Sequence, residues 1–236
     1  TPCIVLFFMS NIYSSGEYFE KNPGWHQEHS HWKSAQVMKM LHKHGIQPSR
    51  IAEVGCGAGA ILEHLFLTIR PQPYCLGYEV SPQAYELASQ RKANGLEFQL
   101  GSPSLNTQPF DLVLAMDVLE HVDDYLGFIH NLKALGTFKI LHIPLDLSVI
   151  SIYRPSYLRN ARTSVGHLHY FTRETALASL EQAGLIVKDW FFTSVELDIG
   201  IQGQKRLNIL RKFLFTRNPD LSSRILGGFS LLVLAE

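Results

Sequence analysis

Ile51-Ala52-Glu53-Val54-Gly55-Cys56-Gly57-Ala58-Gly59 reads as a short apolar strand carrying one acid, followed by a glycine turn that opens a helix. Glycines at 55, 57 and 59 let the backbone turn tightly and let a ligand approach main-chain N–H groups with no Cβ in the way. Glu53 sets a carboxylate beside that turn. A carboxylate repels a pyrophosphate and attracts an ammonium group, so the pattern predicts a ligand that carries positive charge. The same residues also fit G-x-G-x-x-A from Gly55 to Ala60, a dinucleotide fingerprint, so the turn alone does not decide between the two.

Two later stretches repeat the theme. Tyr74-Cys75-Leu76-Gly77-Tyr78-Glu79-Val80-Ser81-Pro82 is an apolar run ending in an acid, after which Ser81 as N-cap and Pro82 as first residue start a helix. A carboxylate at the end of a second strand can accept hydrogen bonds from both hydroxyls of a ribose, the role expected of Glu79. In Pro109-Phe110-Asp111-Leu112-Val113-Leu114-Ala115-Met116-Asp117-Val118-Leu119-Glu120-His121-Val122, a buried strand runs straight into a polar cluster.

In that order and spacing the three stretches resemble the class I methyltransferases that use S-adenosylmethionine (SAM), in particular the small-molecule branch with an LEH signature after the fourth strand, similar to the O-methyltransferases of ubiquinone biosynthesis. The likeness runs from about Arg50 to Leu185. It implies that Glu53, Gly55, Cys56 and Gly57 surround the methionine part of SAM. It places Glu79 at the ribose, Val80 in the cofactor site and Asp117 near the SAM amino group. After the third strand the family usually has an aspartate for the adenine amine; this chain has Ser102, whose hydroxyl accepts more weakly than a charged group. The implied activity is methyl transfer to an oxygen or nitrogen of a small-molecule metabolite. Its rivals are an NAD(P)-dependent oxidoreductase and a SAM-binding protein without turnover.

Apolar runs near 51–55, 74–79, 96–100, 110–115 and 137–143, with helical stretches near 59–69, 82–93 and 124–134, predict an α/β chain. The expected architecture is Rossmann-like and doubly wound: a mostly parallel seven-stranded sheet with an antiparallel last strand and helices on both faces. Ser30 caps a helix to about His44, with Trp32, Val37, Met40 and Leu41 as its apolar face. Residues 1–48 read as an N-terminal lid or helical segment whose aromatics Tyr13, Tyr18, Phe19 and Trp25 fold over the cofactor; 49–236 is the SAM-binding domain. Within it, 144–171 shows no periodicity and 198–228 is an insertion with a short amphipathic helix near 205–215. A helix from Thr172 to about Ala183, a strand over 185–197 and a final strand over 229–235 complete the reading.

The chain has 236 residues, 46% of them hydrophobic, and 21 basic residues balance 21 acidic ones. Zero net charge argues against a large nucleic-acid footprint. The apolar run from Cys3 to Met9 is too short to span a bilayer and lacks a signal peptide's flanks. Cys3, Cys56 and Cys75 have no metal-ligand spacing and suit a reducing compartment. The expectation is a cytoplasmic monomer or homodimer with a small-molecule acceptor, no nucleic acid and no membrane partner.

Methyl transfer from a sulfonium needs alignment of nucleophile, methyl carbon and sulfur, and a base if the nucleophile is a hydroxyl. Histidine suits that task near neutral pH. His121, His167 and His169 are the expected catalytic residues, since both of their loops follow strands on the carboxyl side; His142 ends the fifth strand. Asp117, Glu120 and His121 form D-x-x-E-H, which His167 can join. Oxygen and imidazole donors suit a divalent cation, and the cluster is similar to metal-assisted O-methyltransferases of quinone biosynthesis and to small-RNA 3′-end methyltransferases. Those families have glutamate where Asp117 stands, and most enzymes with an LEH motif use no metal, so none is expected.

Overall fold

The computed structural model describes Gly24 and residues 27–104, 108–200 and 205–236. The aromatic segment with Tyr13, Tyr18, Phe19, Trp25 and His26 lies outside the described residues. Seven strands form one sheet: β1 (Arg50–Val54), β2 (Tyr74–Glu79), β3 (Leu96–Leu100), β4 (Phe110–Met116), β5 (Gly136–Pro144), β6 (Val187–Thr193) and β7 (Ser230–Ala235). Their order is β3-β2-β1-β4-β5-β7-β6, and β7 pairs antiparallel with both neighbours while the other pairs are parallel. The central strands are buried on both faces, as β4 shows with every residue but Asp111 buried. That is why they read as apolar runs without alternation.

The longer helices are α1 (Ser30–His44), α2 (Ala60–Thr68), α3 (Pro82–Ser89), α4 (Tyr125–Leu135) and, after an irregular region, α7 (Arg173–Gln182). They divide the core between the two sheet faces. Phe128, Ile129, Leu132 and Leu180 pack on one side; Val37, Met40, Leu41, Leu62 and Leu65 pack on the other. Helix α1 therefore belongs to the same core as β1.

Several expectations need correction. The predicted helix over 82–93 stops at Ser89. The aperiodic stretch after β5 holds two short helices, α5 (Val149–Tyr153) and α6 (Pro155–Asn160), then a π-helical turn at Ala161–Val165. Each is too short to show a helical period; α5 is started by a reciprocal cap between Ser148 and Ser151. The strand predicted over 185–197 ends at Thr193 and gives way to α8 (Val195–Asp198). The late insertion contains α9 (Lys205–Arg217) and also α10 (Pro219–Leu226), whose start is marked by Asn218 accepting from the Leu221 N–H and by Pro219.

The glycine turn carries a strong steric demand. Gly59 sits at φ +78 just before α2, and a Cβ there would lie 2.5 Å from Phe98 Cε1. Gly45, at φ +63 after α1, has open space around it. Gly45→Ala is expected to cost about 1 kcal/mol from left-handed backbone alone. Gly59→Ala is expected to cost about 2–4 kcal/mol, because overpacking adds to the same strain. Urea unfolding checks this; equal losses for the two variants would mean that β3 gives way and the close packing is not a constraint.

Candidate active site

Because every strand but β7 points the same way, the carboxyl ends of β1, β2, β4 and β5 share one edge. They open into a cavity of about 340 Å³ lined by Glu53, Gly55, Cys56, Gly57, Glu79, Asp117, Glu120, His121 and His167, together with Ser30 and Lys33 of α1. Sequence-predicted residues from four separate loops thus meet in one place.

The glycine turn does not present its amides to a ligand as expected. Gly55 and Cys56 donate to the Tyr78 carbonyl at 2.9 and 3.0 Å, and Gly59 donates to the Cys56 carbonyl at 2.9 Å. Gly57 donates to Glu79 Oε2 at 2.8 Å, while Glu79 Oε1 accepts from Ser81 N–H at 2.7 Å. A pyrophosphate would find these donors taken and a carboxylate in its way, which removes the dinucleotide reading. The turn instead contributes space: Gly57 lies at φ +54 with no side chain facing the cavity.

The acids carry unequal charge. Burial pushes the Glu53 carboxyl up to about 8 against the pull of Lys33, with Glu79 adding to the rise. Its Oε2 is buried without a hydrogen-bond partner. Burial also raises Glu79, opposed by the N–H donors of Ser81, Gly57 and Val80. Glu120 is raised well above the usual range by burial and by Asp117, and neither of its oxygens has a hydrogen-bond partner. Asp117 goes the other way. Burial opposes its ionisation, but His142 and Lys33 outweigh burial and hold the carboxyl far below the usual range.

Asp117 is the non-glycine residue with positive φ (+58) among those described. The turn is fixed by its own N–H donating to the His142 carbonyl at 2.9 Å, by His142 Nδ1 on Oδ1 at 2.5 Å and by Lys33 Nζ on Oδ2 at 2.6 Å. His142 Nε2 lies 2.8 Å from Thr193 Oγ1, so β6 braces the imidazole from behind. Sequence reasoning missed Lys33. The signal was present: Lys33 precedes Val37 by four and Met40 by seven, on the stripe that faces the sheet.

Around Glu120 the chain closes on itself. The N–H groups of Leu168 and His169 donate to the Glu120 carbonyl at 2.6 and 3.2 Å, which brings the later loop over the fourth-strand loop. His121 Nδ1 donates to the Gly166 carbonyl at 3.1 Å, and its Nε2 lies 3.7 Å from Glu120 Oε1. His167 Nδ1 donates to Asp146 Oδ2 at 2.6 Å, leaving Nε2 as its basic nitrogen. Asp146, just beyond β5, was not among the residues singled out in the sequence. Glu120, His121 and His167 each offer one ligand atom within 4.8 Å of the others, a donor set that fits a divalent cation. Asp117, the fourth member considered, is engaged by His142 and Lys33.

Three expected residues lie elsewhere. His169 does not line the cavity; its Nε2 sits 2.9 Å from the Val122 carbonyl and its ring packs at a tilt against Tyr125. Val80 and Ser102 face a separate recess of about 10 Å³, which Gly55 and Val118 divide from the main cavity. Cys56 stays on the cavity wall, with a thiol that burial pushes well up.

Comparison with known proteins agrees with this geometry. The family profile described as a methyltransferase domain matches residues 24–188. A ubiquinone biosynthesis O-methyltransferase of Haemophilus ducreyi is 29% identical over 102 residues, covering 39% of this chain and 42% of the relative. The match thus spans less than half the length of that curated protein. In fold, the methyltransferase bound to the Trm112 activator of Haloferax volcanii superposes with a TM-score of 0.65 at 14% identity, covering 94% of each chain. The magnesium protoporphyrin IX methyltransferase of Synechocystis PCC 6803, solved with bound S-adenosylhomocysteine, superposes at 0.59 with 14% identity over 96% of each chain. With the profile match covering more than half of its length, the chain belongs to the methyltransferase-domain family.

Proposed function

We propose that the protein methylates an oxygen or nitrogen of a small-molecule acceptor, with His167 as general base. The observation that carries this reading is His167, held by Asp146 at 2.6 Å and lining the cavity that also holds Glu53, Glu79 and Asp117. SAM supplies a methyl group already activated on a sulfonium. Glu53 and Asp117 give its cationic methionine part an acidic wall, and Glu79 lies at the strand end suited to a ribose. Helix α1 covers one side of this site, bringing Ser30 and Lys33 to it.

His167 Nε2 takes the acceptor proton as the new bond to the methyl carbon forms and the carbon–sulfur bond breaks. Neutral S-adenosylhomocysteine and the methylated acceptor remain. Asp146 holds the imidazole in the tautomer that can accept and stabilises the imidazolium. A hydroxyl needs this help more than an amine does, so the pair favours oxygen. The name of the curated relative, an O-methyltransferase, points the same way.

A second reading rests on Glu120, whose two buried oxygens have no hydrogen-bond partner. With His121 and His167 it would hold a divalent cation, which supplies Lewis-acid activation of an acceptor oxygen. Two measurements separate the readings. His167→Ala is expected to lose roughly 10²–10⁴-fold in kcat with SAM affinity changed less than about threefold; unchanged kcat would remove His167 from the chemistry. EDTA is expected to leave turnover intact. Its loss on chelation, with recovery on adding a divalent ion, would reassign Glu120, His121 and His167 as ligands.

A further inference from the structure

Residues 147–173 and 199–219 contain nine of the chain's 21 Lys and Arg and none of its 21 Asp and Glu. The rest of the chain is correspondingly acidic, so zero net charge conceals a strong asymmetry. The same two segments and α10 hold ten of the thirteen exposed large hydrophobic residues among those described. Ile152 is 63% exposed, Tyr153 82%, Ile209 71% and Phe213 54%.

The described parts of these segments form one surface with α10. Helix α9 packs against α10 and α10 against α5. Arg211 donates to the Gly227 carbonyl at 2.6 Å, and Gly227 stands against Ser148 at the start of α5. On this surface Arg154, Arg159, Arg162, Lys212 and Arg217 are exposed. Arg173, Arg211 and Arg224 are instead paired with Asp220, Glu196 and Glu174. The structure thus satisfies one set of cations internally and presents another beside apolar side chains.

We infer that this face docks on an anionic lipid bilayer. Exposed arginine and lysine attract lipid phosphates, and isoleucine, phenylalanine and tyrosine among them enter the boundary between headgroups and acyl chains. A nucleic acid would use the cations but has no place for Ile152 and Ile209. No helix among the described residues is long and apolar enough to cross a membrane; the face lies on the bilayer instead, which revises the expectation of no membrane partner. Val165, within the first segment, and Val195, just before the second, line the active-site cavity, so the docked face borders its mouth.

Flotation of the full chain with lipid vesicles tests this. Binding is expected to vesicles of phosphatidylcholine mixed with phosphatidylglycerol, to fall with added salt, and to be weak on phosphatidylcholine alone. The triple variant Arg154→Glu/Arg159→Glu/Lys212→Glu is expected to lose roughly tenfold or more. Ile152→Ser/Ile209→Ser is expected to lose the part that survives high salt. Both variants should keep the wild-type melting temperature and SAM affinity, which separates this surface from the catalytic reading. No binding to anionic vesicles, undiminished binding by the triple variant, or capture by RNA in preference to the vesicles would each overturn the inference.

Discussion

Lys33 and Asp117 meet at 2.6 Å on the wall of the cavity, and that contact sets Asp117 apart from the buried carboxyls around it. The pair pins the first helix to the end of the fourth strand and helps hold Asp117 in a backbone conformation that non-glycine residues rarely adopt. Removing one partner of a buried pair costs about 3–5 kcal/mol; some solvent contact at both groups puts this pair toward the lower end. Burial holds the Glu53 and Glu120 carboxyls high, and Lys33, bonded to Asp117, offsets that only in part. They favour their neutral forms until another cation arrives.

The opposite shifts give opposite pH dependences. Asp117, held low, stabilises the fold above its ordinary pKa, and that contribution is lost only as pH falls through its depressed folded value. Glu53, held high, works in reverse. Its contribution is complete below its ordinary value of 4.5 and is lost as pH rises through about 8. A site that resists ionising on its own and accepts charge when a cation binds is selective for cationic ligands, which suits a sulfonium donor.

The sequence made the sheet legible because buried parallel strands are nearly continuous apolar runs and each ends in a residue with visible chemistry: Glu53 and Gly55, Glu79, Asp117. It did not distinguish His167 from His169. Residues two apart in a loop differ only in what each meets, and here that is Asp146 for one and the Val122 carbonyl for the other. Short helices such as α5 have no period to read. Helix α10 could have been found from Asn218-Pro219, a cap followed by a first-turn proline. Lys33 could have been found from its position on the apolar stripe of α1. The charge asymmetry of the two late segments was countable, but only their packing through α10 shows that they share a face.

Calorimetry of SAM binding at neutral pH, in buffers of different ionisation enthalpy, tests most directly whether the acidic wall is what receives the donor. Free Glu53 is mostly protonated there, because its carboxyl is pushed up to about 8. A cation placed against it favours the ionised form, so binding should release a proton to the buffer, and Glu53→Gln should release markedly less. Tight binding with no proton release, or with the same release in wild type and Glu53→Gln, would contradict the account.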